Sequence, residues 1–584
     1  MTSSDSLNSF DTDVIIAGAG PTGLVLANLL GINGINVILL EARSDLIDYP
    51  RGVGIDDESF RTVQAMDLID EVVPFTIPHH IMRLVDGQGD VIMTNNPKGE
   101  PFGWPRKFGF LQPLVDRAVF EGLERFPNVD VRFRTKLVGL EQDDNGVTAT
   151  IEKVSGEEGE ISSGETHTLR AQYFVGCEGG RSFTRKWMGV EFEGKSPSTR
   201  WVVIDCDNDP LGFPNVYLGA DPARPYVSIG LPHGVRRFEF MLFDDEPSER
   251  VEDDAFVEAL LHEHLPPNTQ LDIIRRRVFT HHGRIAKDFR KKRVLIAGDA
   301  AHLMPVWMGQ GFNSGYRDAT NLAWKLKAVI NGHASDALLD TYSTERREHA
   351  KAMIDLSMAL GNIIKPTDRR ITFVRDRAAK VANCIPRVRS YFEDMRFKPM
   401  PRYSQGAVVD QETLEPGHSH LRNSRSRIPK LIPSRNALQK NSPVGSQFIQ
   451  PTVGFEGNET KLDDVLGNGF SILSWGIDPA RLFTADQLHQ FDELGVQLVC
   501  AVSPTQVSWA REHCDEGSGP VASAVISDID GNLKSWFDQY SVGTVFVRPD
   551  RFTAAVCLNG DAQKAWNSLV TATSLKYSTA DISI

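Results

Sequence analysis

The chain has 584 residues, too many for one ordinary hydrophobic core, which predicts two to four structural units. Apolar residues make up 41% of it and charged residues 24%, the proportions of a water-soluble globular protein. Its acidic balance, 77 Asp plus Glu against 63 Lys plus Arg, argues against a general affinity for nucleic acid or anionic membrane.

The first ten residues, MTSSDSLNSF, are polar, and no apolar run approaches the roughly 20 residues that span a bilayer. A cytoplasmic protein without a membrane partner is expected. Residues 13–17, DVIIA, form an apolar run that ends in glycines and predicts a buried parallel strand. PTGLVLANLLG at 21–31 predicts a helix, with proline in its first turn and a closing glycine. INVILLE at 35–41 predicts a second strand ending in an acid, completing a βαβ unit. The acidic stretch 155–165 predicts a solvated hairpin or loop. Further strand-to-loop transitions fall at 173–180 and 293–302, the latter followed by a helix from about Arg317 to Ile330. Between them, 200–243 alternates like antiparallel strands with an exposed face. A charged helix is expected over 340–362 and a linker or surface excursion over 403–450. From about 451 strands and helices alternate again, as in a small separate α/β domain. Cys177, Cys206, Cys384, Cys500, Cys514 and Cys557 show neither a CxxC pair nor zinc-site spacing, so free thiols and no metal are expected.

Two motifs carry chemistry. Gly18-Ala19-Gly20-Pro21-Thr22-Gly23 follows a strand, opens a helix and precedes Glu41 at the end of the next strand. The first glycine permits the tight turn, the second lets a pyrophosphate approach the backbone, and the third lets helix and strand pack closely. Free N–H groups of the helix start suit the anion, and Glu41 suits a ribose. This spacing points to a dinucleotide. The second motif, Gly298-Asp299-Ala300-Ala301-His302, runs through Pro305 to Gly309-Gln310-Gly311-Phe312-Asn313. An Asp at a strand end can bind the ribityl hydroxyls that FAD has and NAD lacks. Small residues after Gly309 leave room for a flat isoalloxazine ring against backbone N–H groups.

The order of these elements resembles the class A flavoprotein monooxygenases. Segments 48–58 (DYPRGVGIDDE), 102–106 (FGWPR), 224–228 (RPYVS), 236–240 (RRFEF), 304–307 (MPVW), 396–401 (RFKPMP) and 547–552 (VRPDRF) resemble the 3-(3-hydroxyphenyl)propionate hydroxylases over nearly the whole chain. The resemblance implies an α/β fold: a Rossmann-like FAD-binding domain (1–75, 105–190 and 285–365) with an inserted antiparallel substrate-binding sheet (76–104 and 191–284). A helical segment and linker (366–450) and a thioredoxin-like C-terminal domain (451–584) would follow, the latter without CxxC and therefore structural.

It also implies that Gly18, Gly20, Gly23, Glu41 and Arg43 hold the ADP half of FAD, and Gly298 and Asp299 its ribityl and pyrophosphate region. Arg51, Gln112, Pro305, Gly309, Gly311 and Asn313 would lie near the flavin. The 176–185 segment would meet both FAD and the passing NADH or NADPH. Where that motif has Asp, this chain has Glu178, whose extra methylene moves the charge by about 1.5 Å. The implied reaction is hydroxylation of a phenol ortho to its hydroxyl with NAD(P)H and O2, on 3-(3-hydroxyphenyl)propionate or 3-hydroxycinnamate, in a homodimer. Arg224, Arg236 and Arg237 are candidates to pair a substrate carboxylate. Tyr217, Tyr226, Arg51 and His302 are candidates near the phenol; the sequence names no base. Two other readings stand: the same chemistry on a different phenol in a biosynthetic or xenobiotic pathway, or a non-catalytic flavin-binding protein.

Overall fold

The computed structural model describes residues 9–212, 215–267, 269, 272–409, 442–515 and 523–576. These divide into two compact units, one of 1–100, 104–323 and 347–399, the other of 101–103, 324–346 and 400–584.

In the first unit, strand Thr12–Ala17 runs parallel to Val37–Leu40 on one side and to the end of Ile161–Gly176 on the other. Val129–Arg132 and Val294–Ile296 extend this parallel sheet at its two sides. Helices cover such strands on both faces, which is why they read as continuous apolar runs rather than alternating ones. Helix Pro21–Gly31 follows the first strand, with Leu24, Val25, Leu26 and Leu30 buried. The 155–165 stretch is the tip of a hairpin in which Val147–Ser155 pairs antiparallel with Ile161–Gly176.

A second sheet of this unit has seven strands in the order Asp272–Thr280, Arg200–Asp207, Arg236–Leu242, Tyr226–Gly230, Val216–Gly219, Met82–Val85, Val91–Asn95. The expectation of an exposed face is corrected: every residue of Arg236–Leu242 is buried. One face packs Phe238, Phe240, Val202 and Ile204 against helix Asp254–His262 through Phe256, Val257 and Leu260. The other packs Trp201, Val227, Ile229 and Met241 against Trp307, Leu360 and Ile364. We call these the outer and inner faces.

The second unit is built on a seven-stranded mixed sheet whose central strands Ser471–Trp475, Gln497–Val502 and Ala524–Asp528 are parallel. Apolar side chains fill both of its faces, Phe491, Phe546 and Trp566 on one and Phe448, Leu473 and Val545 on the other. Two sequence boundaries are corrected here. Residues 324–346, expected in the first domain, group with this unit, because Glu345 is clamped by Arg548 at 2.8 and 2.9 Å and by Lys325 at 2.8 Å, all fully buried. The described flanks of 403–450 are core rather than linker: Tyr403 stacks on Phe552 at 4.2 Å and Phe448 is fully buried. A few aromatic anchors set the boundary there against a polar average composition. The rest of that stretch, 410–441, lies outside the described residues.

Candidate active site

The two glycine turns of the first unit meet. Gly18 has φ +103°, and a Cβ on it would lie 2.5 Å from the carbonyl oxygen of Cys177. A Cβ on Gly23 would lie 2.0 Å from the Gly18 oxygen, so the close packing read from the motif is present. Gly20 differs, because a Cβ there would have no neighbour within 4 Å. Glu41 accepts hydrogen bonds from Ala19 N (2.8 Å) and Arg43 N (2.9 Å), fixing the turn from the next strand. Gly298, at φ +60°, presses on Thr22: a Cβ would stand 2.4 Å from its Oγ1, and one on Gly315 only 2.2 Å away.

Gly298 N donates to Asp318 Oδ2 at 2.9 Å, and the same oxygen meets His302 Nε2 at 2.7 Å. His302 and Asp318 are fully buried, so His302 props the turn and its place among the catalytic candidates is corrected. Pro305 precedes a short 3-10 turn, Val306–Met308, closed by Gly309 at φ +60°. The following helix is Gln310–Ile330 and begins about seven residues earlier than expected, so Gly311 and Asn313 lie in its first turn. A Cβ on Gly311 would meet nothing within 4 Å. Asn313 donates to Gly54 O (3.0 Å) and Gly309 O (2.7 Å) and accepts from Asp56 N (3.0 Å) and Ser59 Oγ (2.7 Å). It fastens the 54–59 segment to the helix start.

Beneath that segment lies a buried charge cluster. Arg317 binds Glu58 at 2.8 Å and also Asp56, while Lys398 binds Asp56 at 2.8 Å. Burial raises the Asp56 pKa, but Arg317 and Lys398 outweigh it and hold the carboxyl well below the usual range. Asp57 is pushed up to about 7, first by burial and then by Asp56 and Glu58 beside it, with Lys398 and Arg106 opposing. The three adjacent carboxylates are thus matched by cations of the chain itself.

A cleft of about 980 Å³ brings together residues far apart in sequence, among them Arg43, Arg51, Glu178, Arg185, Arg277 and Asp299. Arg51 reaches Asp299 at 3.4 Å. Gln112 Oε1 accepts from the N–H groups of Arg51 (3.2 Å) and Gly52, and its Nε2 donates to Asp116 at 2.9 Å. Gln112 therefore holds the 51–52 backbone. Glu178 accepts from Ser182 Oγ (2.7 Å), Thr184 N (3.0 Å) and Thr184 Oγ1, bracing the first turn of helix Phe183–Met188, whose N-cap is Ser182. Arg185 donates to Ala300 O (2.9 Å) and Gly180 O (2.7 Å), tying the 178–180 loop to the second glycine turn.

Of the proposed substrate groups, most prove structural. Arg224 makes a bidentate pair with Glu246 at 2.8 and 2.7 Å. Arg236 pairs with Asp209 at 2.5 and 2.8 Å. The strands alternate with period two, so Tyr226, Ser228, Arg236 and Phe238 share the outer face, as does Tyr217 opposite Ser228. Tyr226 packs on His264 (4.1 Å between centroids), and burial pushes its phenol pKa up. Tyr217 lies beneath Arg83. Neither tyrosine faces the Pro305–Gly309 turn. Arg237 does face inward, but Asp205 holds it at 2.7 and 3.1 Å and it donates to Arg51 O (3.1 Å) and Pro50 O. The sequence points to no supporting role for Thr22, Asp205, Gly315 or Asp318, and marks Arg185 only as the end of the 176–185 segment. Asp318, 20 residues beyond Gly298, was visible only as one polar position in a helix.

Four packed glycines (Gly18, Gly23, Gly298 and Gly315), two facing open space (Gly20 and Gly311), and a cleft carrying arginines make a cradle for a long phosphate-bearing cofactor. This class of site is that of FAD-dependent enzymes, and residues 11–357 match the family described as FAD binding domain. Residues 445–572 match the HcaD C-terminal domain. The 3-(3-hydroxy-phenyl)propionate/3-hydroxycinnamic acid hydroxylase of Mycobacterium sp. (strain JLS) is 46% identical, over 97% of this chain and 92% of its own. The protein so named from Escherichia coli (strain SMS-3-5 / SECEC) is 44% identical, over 98% and 96%. The chain belongs to this family of flavin-dependent aromatic hydroxylases. Among solved structures, the flavin-dependent monooxygenase PieE with FAD and substrate superposes with a TM-score of 0.76 at 20% identity, covering 97% of this chain and all of its own. Aklavinone-11 hydroxylase with FAD and aklavinone gives 0.72 at 22%, covering 97% and 99%. At these identities the superpositions speak for the fold.

Proposed function

We propose that this enzyme hydroxylates 3-(3-hydroxyphenyl)propionate or 3-hydroxycinnamate ortho to the phenolic hydroxyl, giving the catechol at the expense of NAD(P)H and O2. The observation that carries this reading is 46% identity, over 97% of the chain, to a hydroxylase of that name. Gly18, Gly20, Gly23, Glu41 and Arg43 would hold the ADP half of FAD. Gly298, Asp299 and Arg51 would hold its middle, with Gln112, Pro305, Gly309, Gly311 and Asn313 near the ring. Bound FAD, once reduced, would supply the activated oxygen. The chain's own part is to fix the phenol edge-on to that oxygen, exclude water and favour the phenolate.

In this reading the first unit is a Rossmann-like FAD domain with an inserted substrate sheet. The second is a thioredoxin-like domain that supports a homodimer; its described cysteines Cys500, Cys514 and Cys557 are buried thiols outside any disulfide. The test is a panel of phenols scored for NADH or NADPH consumption together with product. Tight coupling on the two named substrates supports the reading. Coupling on an unrelated phenol alone replaces the substrate, and flavin binding without turnover on any phenol removes the hydroxylase role.

A further inference from the structure

The inner face of the seven-stranded sheet carries one acid that the supports described above do not use. Pairing aligns Glu239 with Val227 on one side and Val203 on the other, and Val203 in turn with Arg277. Glu239 therefore shares a face with Trp201, Phe279 and Met241, opposite the outer-face Phe238 and Phe240. It is buried, and Arg237 Nη1 stands 4.0 Å from its Oε1. Among the described residues no hydrogen bond reaches its carboxyl group. Val203, beside it in the middle of the sheet, is only half-buried, so the face is open there. Arg277, one strand further, lines the cleft with Tyr49 and Arg51. Arg237 joins the two places, since it holds the backbone of Pro50 and Arg51.

Buried carboxyl groups are paired or hydrogen-bonded when their role is structural. Arg237 gives its short contacts to Asp205 and the 50–51 carbonyls, leaving Glu239 only a long one. The charged groups of this face are Arg237 on the same strand, Asp205 on Arg200–Asp207, and Arg275 and Arg277 on Asp272–Thr280. Arg51 stands over the Arg237 end.

We propose that Glu239 accepts the proton of the phenolic hydroxyl when substrate binds. The phenol O–H bond breaks, the electron pair stays on oxygen and spreads to the ortho carbon, and the proton forms an O–H bond on Glu239. Arg237, fixed by Asp205, offsets the new anion. Burial, with Asp205 adding to it and Arg237 opposing, pushes the Glu239 carboxyl up to about 7, much nearer to a phenol than an exposed Glu stands.

This inference rests on the proposed phenol hydroxylation, and the two fail differently. Glu239→Gln keeps shape and polarity but cannot take a proton. FAD content and thermal midpoint of the holoenzyme first establish that the variant is folded. The ultraviolet difference spectrum of substrate added to oxidised holoenzyme then reports phenolate formation across pH. With the carboxyl near about 7 and a phenol near about 10, only about one bound molecule in a thousand is phenolate at equilibrium, so at neutral pH the spectrum should be that of the neutral phenol and the base should show in the rate. Product formation should fall by about 100-fold or more in Glu239→Gln, lose its limb near neutral pH, and partly return in Glu239→Asp. A loaded Glu239→Gln enzyme with wild-type turnover and an unchanged pH profile overturns the assignment. Should Glu239→Gln fail to fold, the wild-type pH–rate profile decides: no limb near neutral pH overturns it as well. Absence of catechol from wild type would instead sink the proposed function.

Discussion

The two faces of the seven-stranded sheet use the same residue types to different ends. On the outer face Arg236 is locked to Asp209 and Ser228, Tyr226 lies among Phe238, Phe240 and His264, and Tyr217 lies beneath Arg83. On the inner face Arg237 is equally locked, yet among the described residues Trp201 Nε1 and His281 Nε2 are buried without a hydrogen-bond partner, and Glu239 has only the 4.0 Å contact of Arg237. Buried polar atoms without a hydrogen-bond partner also occur elsewhere, as at Gln447, Asp478 and Thr553 of the second unit, so it is their gathering on one face of this sheet that sets the inner face apart. Trp201 and His281 cluster with Trp307, which lies in the Val306–Met308 turn that ends at Gly309 of the second motif. Burial first, then Lys365 and His282, pushes the His281 pKa down to about 3, so it is a neutral imidazole at working pH.

The comparison can be broken at several strengths. Arg237→Leu removes one half of a buried pair, strands Asp205 and frees the Pro50 and Arg51 carbonyls. It should cost about 3–5 kcal/mol in denaturant unfolding, the largest loss expected. Asp318→Asn weakens the charged acceptor shared by Gly298 N and His302. FAD dissociation should rise by about tenfold or more, as a lost charge-assisted bond implies, read by equilibrium dialysis. Glu178→Ala removes the acceptor of Ser182 Oγ and Thr184 N at the start of helix Phe183–Met188, costs about 1 kcal/mol, and slows anaerobic flavin reduction because the 179–180 loop loses its anchor; Glu178→Asp should keep reduction. The smallest effect belongs to the outer face: Tyr217→Phe and Tyr226→Phe should leave hydroxylation within about twofold. A large loss of turnover in either tyrosine variant, with FAD retained, would reverse the assignment of the faces.

The first glycine turn was legible because its constraints are local: strand, turn and helix lie within 12–31 and Glu41 directly follows the next strand. The second was legible as a motif but not as a structure. Its supports, Thr22 and Asp318, act across the fold and leave no spacing to read. The substrate side failed for a related reason. Arg224, Arg236 and Tyr226 looked suited to a phenolic acid by residue type, but the partners that neutralise them, Glu246 and Asp209, and the face they occupy are set by pairing between strands. In the C-terminal unit the alternating strands and the helix Ala485–Leu494 were visible, whereas the Glu345–Arg548 pair that draws 324–346 into it spans 203 residues.

The central claim, that a flavin held between the two glycine turns passes oxygen to a phenol bound on the inner face, is tested most directly with labelled oxygen. The holoenzyme would be given NADH or NADPH, 3-(3-hydroxyphenyl)propionate and 18O2, and the product analysed by mass spectrometry. The account predicts one 18O atom in a catechol formed with stoichiometric reductant. Reductant consumed with only peroxide released, or a catechol whose added oxygen comes from water, would contradict it.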